Sequence, residues 1–118
     1  DFHYARTRLI CLENTWHGRS LPLNYLDDTH HLAGEHKLAL HLDGARVFNA
    51  AVRQEIDVSY ITTRFDSISA CLSKGLGAPV GSVLCGSRDF IDSARRWRKV
   101  LAFGGNAHFR TTLSDIVT

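Results

Sequence analysis

Two segments of the 118-residue chain place reactive side chains where an apolar run breaks into a turn. Lys74 follows Leu72-Ser73 and is followed by Gly75-Leu76-Gly77. Glycine lets the backbone bend tightly and lets a ligand approach it closely. A lysine partly withdrawn from water in such a bend is a nucleophile able to form a Schiff base with a carbonyl compound. A solvated loop lysine fits the same segment. Asp43 ends the apolar run Leu38-Ala39-Leu40-His41-Leu42. A carboxylate there can hold a pyridine nitrogen protonated and so turn a cofactor ring into an electron sink. It can equally cap the helix whose pattern begins near Arg46. Arg46 lies three residues on, and its planar guanidinium suits a two-point hold on a substrate carboxylate; a surface arginine is the plain alternative.

The elements that position these residues alternate in type. Strand patterns cover Thr7 to Leu12, Leu38 to Leu42, Asp66 to Leu72 and Gly81 to Cys85. Helical spacing covers Leu23 to Lys37, the stretch from Arg46, and Arg88 to Leu101, with a short helix expected inside Ile56 to Phe65. Gly34 weakens the end of the first helix. Strands alternating with helices predict an α/β layer on a mostly parallel sheet. Polar clusters at Glu13-Asn14-Thr15, Asp43-Gly44-Ala45-Arg46 and Ser73-Lys74-Gly75 fall at strand ends. Open α/β sheets bind ligands at the carboxyl ends of their strands.

Composition narrows the rest. A formal net charge of +2 gives no reason to expect nucleic acid or an anionic membrane as partner. Arg95-Arg96-Trp97-Arg98-Lys99 reads as a solvated helix face. No apolar run approaches the roughly 20 residues that span a bilayer. Cys11, Cys71 and Cys85 are odd in number and lack metal or disulfide spacing, so buried reduced thiols in a cytoplasmic setting are expected. The histidines outside the Trp16-His17 turn make no metal set, and adjacent His30 and His31 cannot share a helix face. No metal is expected.

The residues around Asp43 and Lys74 extend into longer motifs. His41-Leu42-Asp43-Gly44-Ala45-Arg46-Val47-Phe48-Asn49-Ala50-Ala51 resembles the cofactor-nitrogen motif of the L-threonine aldolases. The run from Ser69 to Ser82 resembles their Schiff-base motif, and Leu9-Ile10-Cys11-Leu12-Glu13-Asn14-Thr15 their upstream segment, in the family's order. The resemblance runs to about residue 101. It implies the aspartate-aminotransferase-like large domain of fold type I, with mostly parallel sheet and flanking helices. It also implies pyridoxal 5'-phosphate as cofactor, cleavage of β-hydroxy-α-amino acids such as L-threonine and L-allo-threonine to glycine and an aldehyde, and a homo-oligomeric parent. By the same carry-over Lys74 bonds the cofactor aldehyde, Asp43 binds the pyridine nitrogen, and Arg46 contacts the substrate carboxylate and the ring hydroxyl. Lys99 would lie near the cofactor phosphate or the substrate. Another fold type I lyase or aminotransferase, or an inactive truncated product, are the alternatives.

The chain departs from the family in three places. The family often carries histidine directly after Glu-Asn-Thr, facing the substrate hydroxyl; here Trp16 stands there and His17 follows, so His17 is the candidate substitute. The family's phosphate-binding glycine loop and ring-stacking histidine would precede these motifs. Together with the lack of any methionine, this suggests an internal piece, residues 1–105 being the middle of the cofactor-binding domain, inactive in isolation. Finally, Asn106-Ala107-His108-Phe109-Arg110 replaces a glycine-rich Met-Arg loop. Shifting the reading frame by one base allows Met-Arg-Ile-Ser-Gly there, so residues 106–118 are expected to be read out of frame.

Overall fold

The computed structural model describes residues 4–100. The expected tail, residues 106–118, and the end of the last helix pattern at Leu101 lie outside the described residues. In chain order the elements are β1 (Leu9–Glu13), α1 (Leu23–His36), β2 (Ala39–Gly44), α2 (Val47–Gln54), α3 (Ser59–Thr62), β3 (Ser67–Cys71), β4 (Ser82–Gly86) and α4 (Arg88–Val100). The four strands form one sheet in the order β1-β2-β3-β4. β1, β2 and β3 run parallel, with Glu13 beside Asp43 and Asp43 beside Ser69. β4 returns antiparallel to β3. The α/β layer with a mostly parallel sheet and flanking helices is therefore as expected. The reversal at β4 has a simple cause: a parallel return needs a crossover of a dozen or more residues, and the connection from Leu72 to Gly81 is too short for one.

Side chains alternate across the sheet, and the helices select one face. Leu40, Leu42, Ile68 and Ala70 pack with Leu26 and Ala33 of α1, Val47, Ala50 and Ala51 of α2, and Ile61 and Phe65 around α3. Leu42 is fully buried; burial of one such side chain stabilises by about 1.5–3 kcal/mol. Residues of opposite parity on β1 and β2 face away from α1 and α2. Cys11 is exposed for this reason, and Cys71 is half-buried, which corrects the expectation of three buried thiols; only Cys85 is buried. α4 lies at the β4 end, where Ile91, Ala94, Arg95 and Arg98 line a cavity with Leu84. Arg95 pairs with Asp92 at 3.3 Å on this largely solvated helix.

α1 and α2 stop in the same way. Lys37 and Glu55 adopt left-handed backbone with φ of 53° and 55°. Leu38 and Ile56 then donate their N–H groups to Ala33 and Ala51 at 2.8 and 3.1 Å. These are Schellman closures, and each turns an apolar residue back towards the core. The closure holds α1 together through Gly34 to His36. Among the described residues, no helix is long and apolar enough to cross a membrane.

Candidate active site

Three loops leave the carboxyl edge formed by β1, β2 and β3, and each is tied down differently. The exit of β1 hangs on Asn14, which is fully buried. Its backbone N–H donates to the Asp43 carbonyl at 3.0 Å, and its Oδ1 accepts from the Leu21 N–H at 3.2 Å. Asn14 Nδ2 is buried and has no hydrogen-bond partner among the described residues. Gln54 of α2 donates to the Leu21 carbonyl at 3.4 Å, which draws the same loop onto that helix. Between these anchors Trp16 and Arg19 exchange two backbone hydrogen bonds of 2.9 Å. The central residues His17 and Gly18 both have positive φ, as a type I′ turn requires. His17 thus sits exposed at a hairpin tip, its ring edge-on to Trp16 at 4.6 Å.

The exit of β2 carries Asp43, whose side chain is exposed. Its Oδ1 accepts from the Ala45 N–H at 3.1 Å, while Oδ2 accepts no hydrogen bond among the described residues. The bond closes a turn rather than capping α2, whose N-cap is Arg46 without any side-chain cap. That corrects the helix-cap alternative for Asp43. Gly44 suits the close approach here: a Cβ would lie 3.0 Å from the Ser69 carbonyl oxygen and 3.1 Å from the Val47 Cβ, so the neighbours would have to shift. Arg46 is exposed and lines a polar cleft of about 500 Å³ with Thr15, Ser20, Arg19, Asn49 and Arg53. Asp43 and His17 are not part of that lining.

The exit of β3 is a closed loop. Leu72 donates to the Gly81 carbonyl and accepts from Ala78, each at 2.9 Å, and Gly77 donates to the Lys74 carbonyl at 3.0 Å. Gly77 and Gly81 have φ of 70° and 124°, values that favour glycine. Lys74 is exposed, and its amine makes no hydrogen bond or ion pair among the described residues. Below it, the Cys71 thiol lies 3.3 Å from the Ser73 hydroxyl and donates to the Gly81 carbonyl. The Ser73 hydroxyl and N–H hold that thiol below the usual range, with smaller help from Ser82 and the Lys74 charge. Burial pushes Cys85 the other way.

Asn49 joins the second and third loops. A Cβ on Gly75 would collide with the Asn49 amide group, so this glycine lets the Asn49 side chain of α2 pack against the backbone beside Lys74. Asn49 and Arg53 also belong to a larger cavity of about 700 Å³ that Gly75 and Leu76 line. The two motifs singled out from the sequence thus meet in space. Lys99 stands apart, exposed in the last turn of α4, and lines neither of the two cavities described for Arg46, Asn49 and Gly75. Residue type alone does not single out Asn14 or Asn49; the signal for Asn14 is its orphaned buried amide, and that for Asn49 its contact with a glycine. Among the described residues no group of three or more His, Cys, Asp or Glu could hold a metal ion.

Residues 1–107 match the family described as beta-eliminating lyase. The low specificity L-threonine aldolase of Escherichia coli strain K12 is 52% identical over 104 residues, 88% of this chain and 31% of that enzyme. The Saccharomyces cerevisiae enzyme of that name is 48% identical over 99 residues, 84% of this chain and 26% of its own length. The chain thus spans at most about a third of these relatives. A crystal structure from Listeria monocytogenes EGD-E, named after L-allo-threonine aldolase, superposes with a TM-score of 0.71 at 30% identity, over 86% of this chain and 28% of its own. The sheet is accordingly a piece of the fold type I large domain. With residues 1–107 of its 118 matched to that family, the chain belongs to the beta-eliminating lyase family.

Proposed function

We propose that the full-length parent of this chain cleaves L-threonine and L-allo-threonine to glycine and acetaldehyde, with pyridoxal 5'-phosphate held at Lys74 and Asp43. The observation that carries this reading is the meeting of the two loops: the Lys74 bend rests on Asn49 of the helix that follows Asp43 and Arg46. The donor set fits the cofactor, since an amine and a carboxylate oxygen without partners among the described residues leave neighbouring strands at the same edge. When bound, the cofactor supplies an electron-withdrawing ring for the electron pair released as the Cα–Cβ bond breaks.

The chain's own residues do the positioning. The Lys74 amine would hold the cofactor aldehyde, and the Asp43 carboxylate would keep a proton on the ring nitrogen. The Asp43–Ala45 bond fixes that carboxylate, and Asn14 fixes the backbone beneath it through the Asp43 carbonyl. Arg46 faces a polar cleft and takes the substrate carboxylate through its guanidinium fork. For the β-hydroxyl proton the candidate base is His17, exposed at the tip of the turn whose next residues, Gly18 and Arg19, line the Arg46 cleft. Lys99 is the candidate second cation for the cofactor phosphate or substrate, supplied from α4. The parent is further proposed to be a cytoplasmic homo-oligomer. Residues 1–105 form the middle of its large domain, and residues 106–118 are read out of frame; the family match ending at residue 107 supports that division, and the coding DNA tests it.

The experiment is a product assay on the purified, cofactor-loaded parent. L-threonine should yield glycine and acetaldehyde in equal amounts, and Lys74→Ala should abolish both. Transfer of the amino group to a keto acid without acetaldehyde would instead make the parent an aminotransferase.

A further inference from the structure

The cleft at Arg46 holds more positive charge than one carboxylate requires. Arg53 lies seven residues along α2 from Arg46, two turns away and on the same helix face. Arg19 enters from the β1 hairpin, fixed by the paired backbone bonds between Trp16 and Arg19. All three guanidinium-bearing residues are exposed, and all line the same cleft of about 500 Å³. None takes part in an ion pair among the described residues, whose pairs are His31–Glu35, Arg64–Asp27 and Arg95–Asp92. The remaining polar lining, Thr15, Ser20 and Asn49, offers hydroxyl and amide donors. The volume is that of a small-molecule site. Three exposed like charges around one cavity favour an anion between them, and guanidinium forks match carboxylate and phosphate oxygens in pairs.

We propose that Arg19 and Arg53 form a second anion seat beside Arg46. The preferred substrates are then β-hydroxy-α-amino acids whose Cβ substituent carries a further carboxylate or phosphate. This rests on the retro-aldol reading above, in which Arg46 takes the α-carboxylate. The second charge must then lie on the portion that leaves as the aldehyde. With 3-hydroxyaspartate the Cα–Cβ bond breaks, the hydroxyl proton passes to the base, and Cα gains a proton. Glycine and glyoxylate leave with no oxidant or reductant consumed.

The test uses the full-length parent and three substrates: L-threonine, 3-hydroxyaspartate and the 4-phosphate of 4-hydroxythreonine. The wild type should show kcat/KM at least about tenfold higher on one anionic substrate than on threonine, the scale of one charge-assisted hydrogen bond. Arg19→Ala and Arg53→Ala should each lower that value about tenfold more than they lower the value on threonine, and Arg53→Lys should restore part of it. Which substrate responds identifies carboxylate or phosphate as the second group. A separate readout is calorimetric titration of the cofactor-free parent with malonate, whose binding should weaken about tenfold in the double variant. Threonine preferred over both anionic substrates, or malonate binding that ignores both arginines, overturns the seat. A wild type that cleaves nothing while malonate binding still depends on Arg19 and Arg53 keeps the seat and removes the retro-aldol reading.

Discussion

The two faces of the sheet are made from alternate residues of the same strands, yet they do different work. On one face Leu40, Leu42, Ile68 and Ala70 lie against α1 and α2 and are buried. On the other, Cys11, His41, Asp43, Ser69 and Cys71 are polar and exposed or half-buried. A single-residue step along β2, from Leu42 to Asp43, passes from core to candidate chemistry. Parity along a strand therefore separates stability from function here, because strand side chains alternate with a period of two. Substitutions on the first face should destabilise the protein, and substitution of Asp43 on the second should lower its activity while it stays folded.

The largest separation is expected at that step in β2. Leu42→Ala in the full-length parent should lose about 2–5 kcal/mol of stability, from lost burial and an unfilled cavity. Chemical denaturation reads it as a lower midpoint. Asp43→Ala, one residue on, removes only the exposed turn bond to Ala45, so it should cost at most about 1.5 kcal/mol of stability and lower turnover about a hundredfold, on the order of 3 kcal/mol. Equal losses of stability at both positions would break the division between the faces.

Thiol labelling sharpens it at smaller scale. The hydrogen bonds from Ser73 hold Cys71 below the usual thiol range, while burial holds Cys85 above it. A lowered value means that the thiolate is present at lower pH. Cys71 should therefore take up iodoacetamide at lower pH and faster than Cys85, as peptide mass mapping would show. Cys85 reacting first would contradict the packing of β4. The smallest effect lies away from both faces. A Cβ at Gly34 of α1 meets nothing within 4 Å, so Gly34→Ala should raise stability by about 0.5–1 kcal/mol with activity unchanged.

Much of this architecture is legible from periodicity. The spacing of Leu23, Leu26 and Ala33 and the apolar run before Asp43 yield the right elements, because burial on one face leaves its period in the chain. Direction of pairing leaves no such trace: β4 looks like any short strand, and only the short connection beside it makes it antiparallel. Loop contacts are hidden for a related reason. Asn49 meets Gly75, and Asn14 meets Asp43, across sequence separations that a local pattern cannot report. Cys11 misleads because an apolar stretch in a strand still turns every second residue away from the core. The Trp16-His17-Gly18-Arg19 turn is readable only in part: Gly18 signals a bend, but the place of His17 at its tip follows from two consecutive positive φ values.

The central claim is that Lys74 carries the cofactor. The most direct measurement is borohydride reduction of the cofactor-loaded full-length parent, followed by proteolysis and mass mapping. The peptide that contains Lys74 should carry the mass of one reduced cofactor, and peptides containing Lys37 and Lys99 should carry none. Cofactor mass on Lys37, on Lys99 or on a lysine outside this chain, with Lys74 unmodified, would contradict the account.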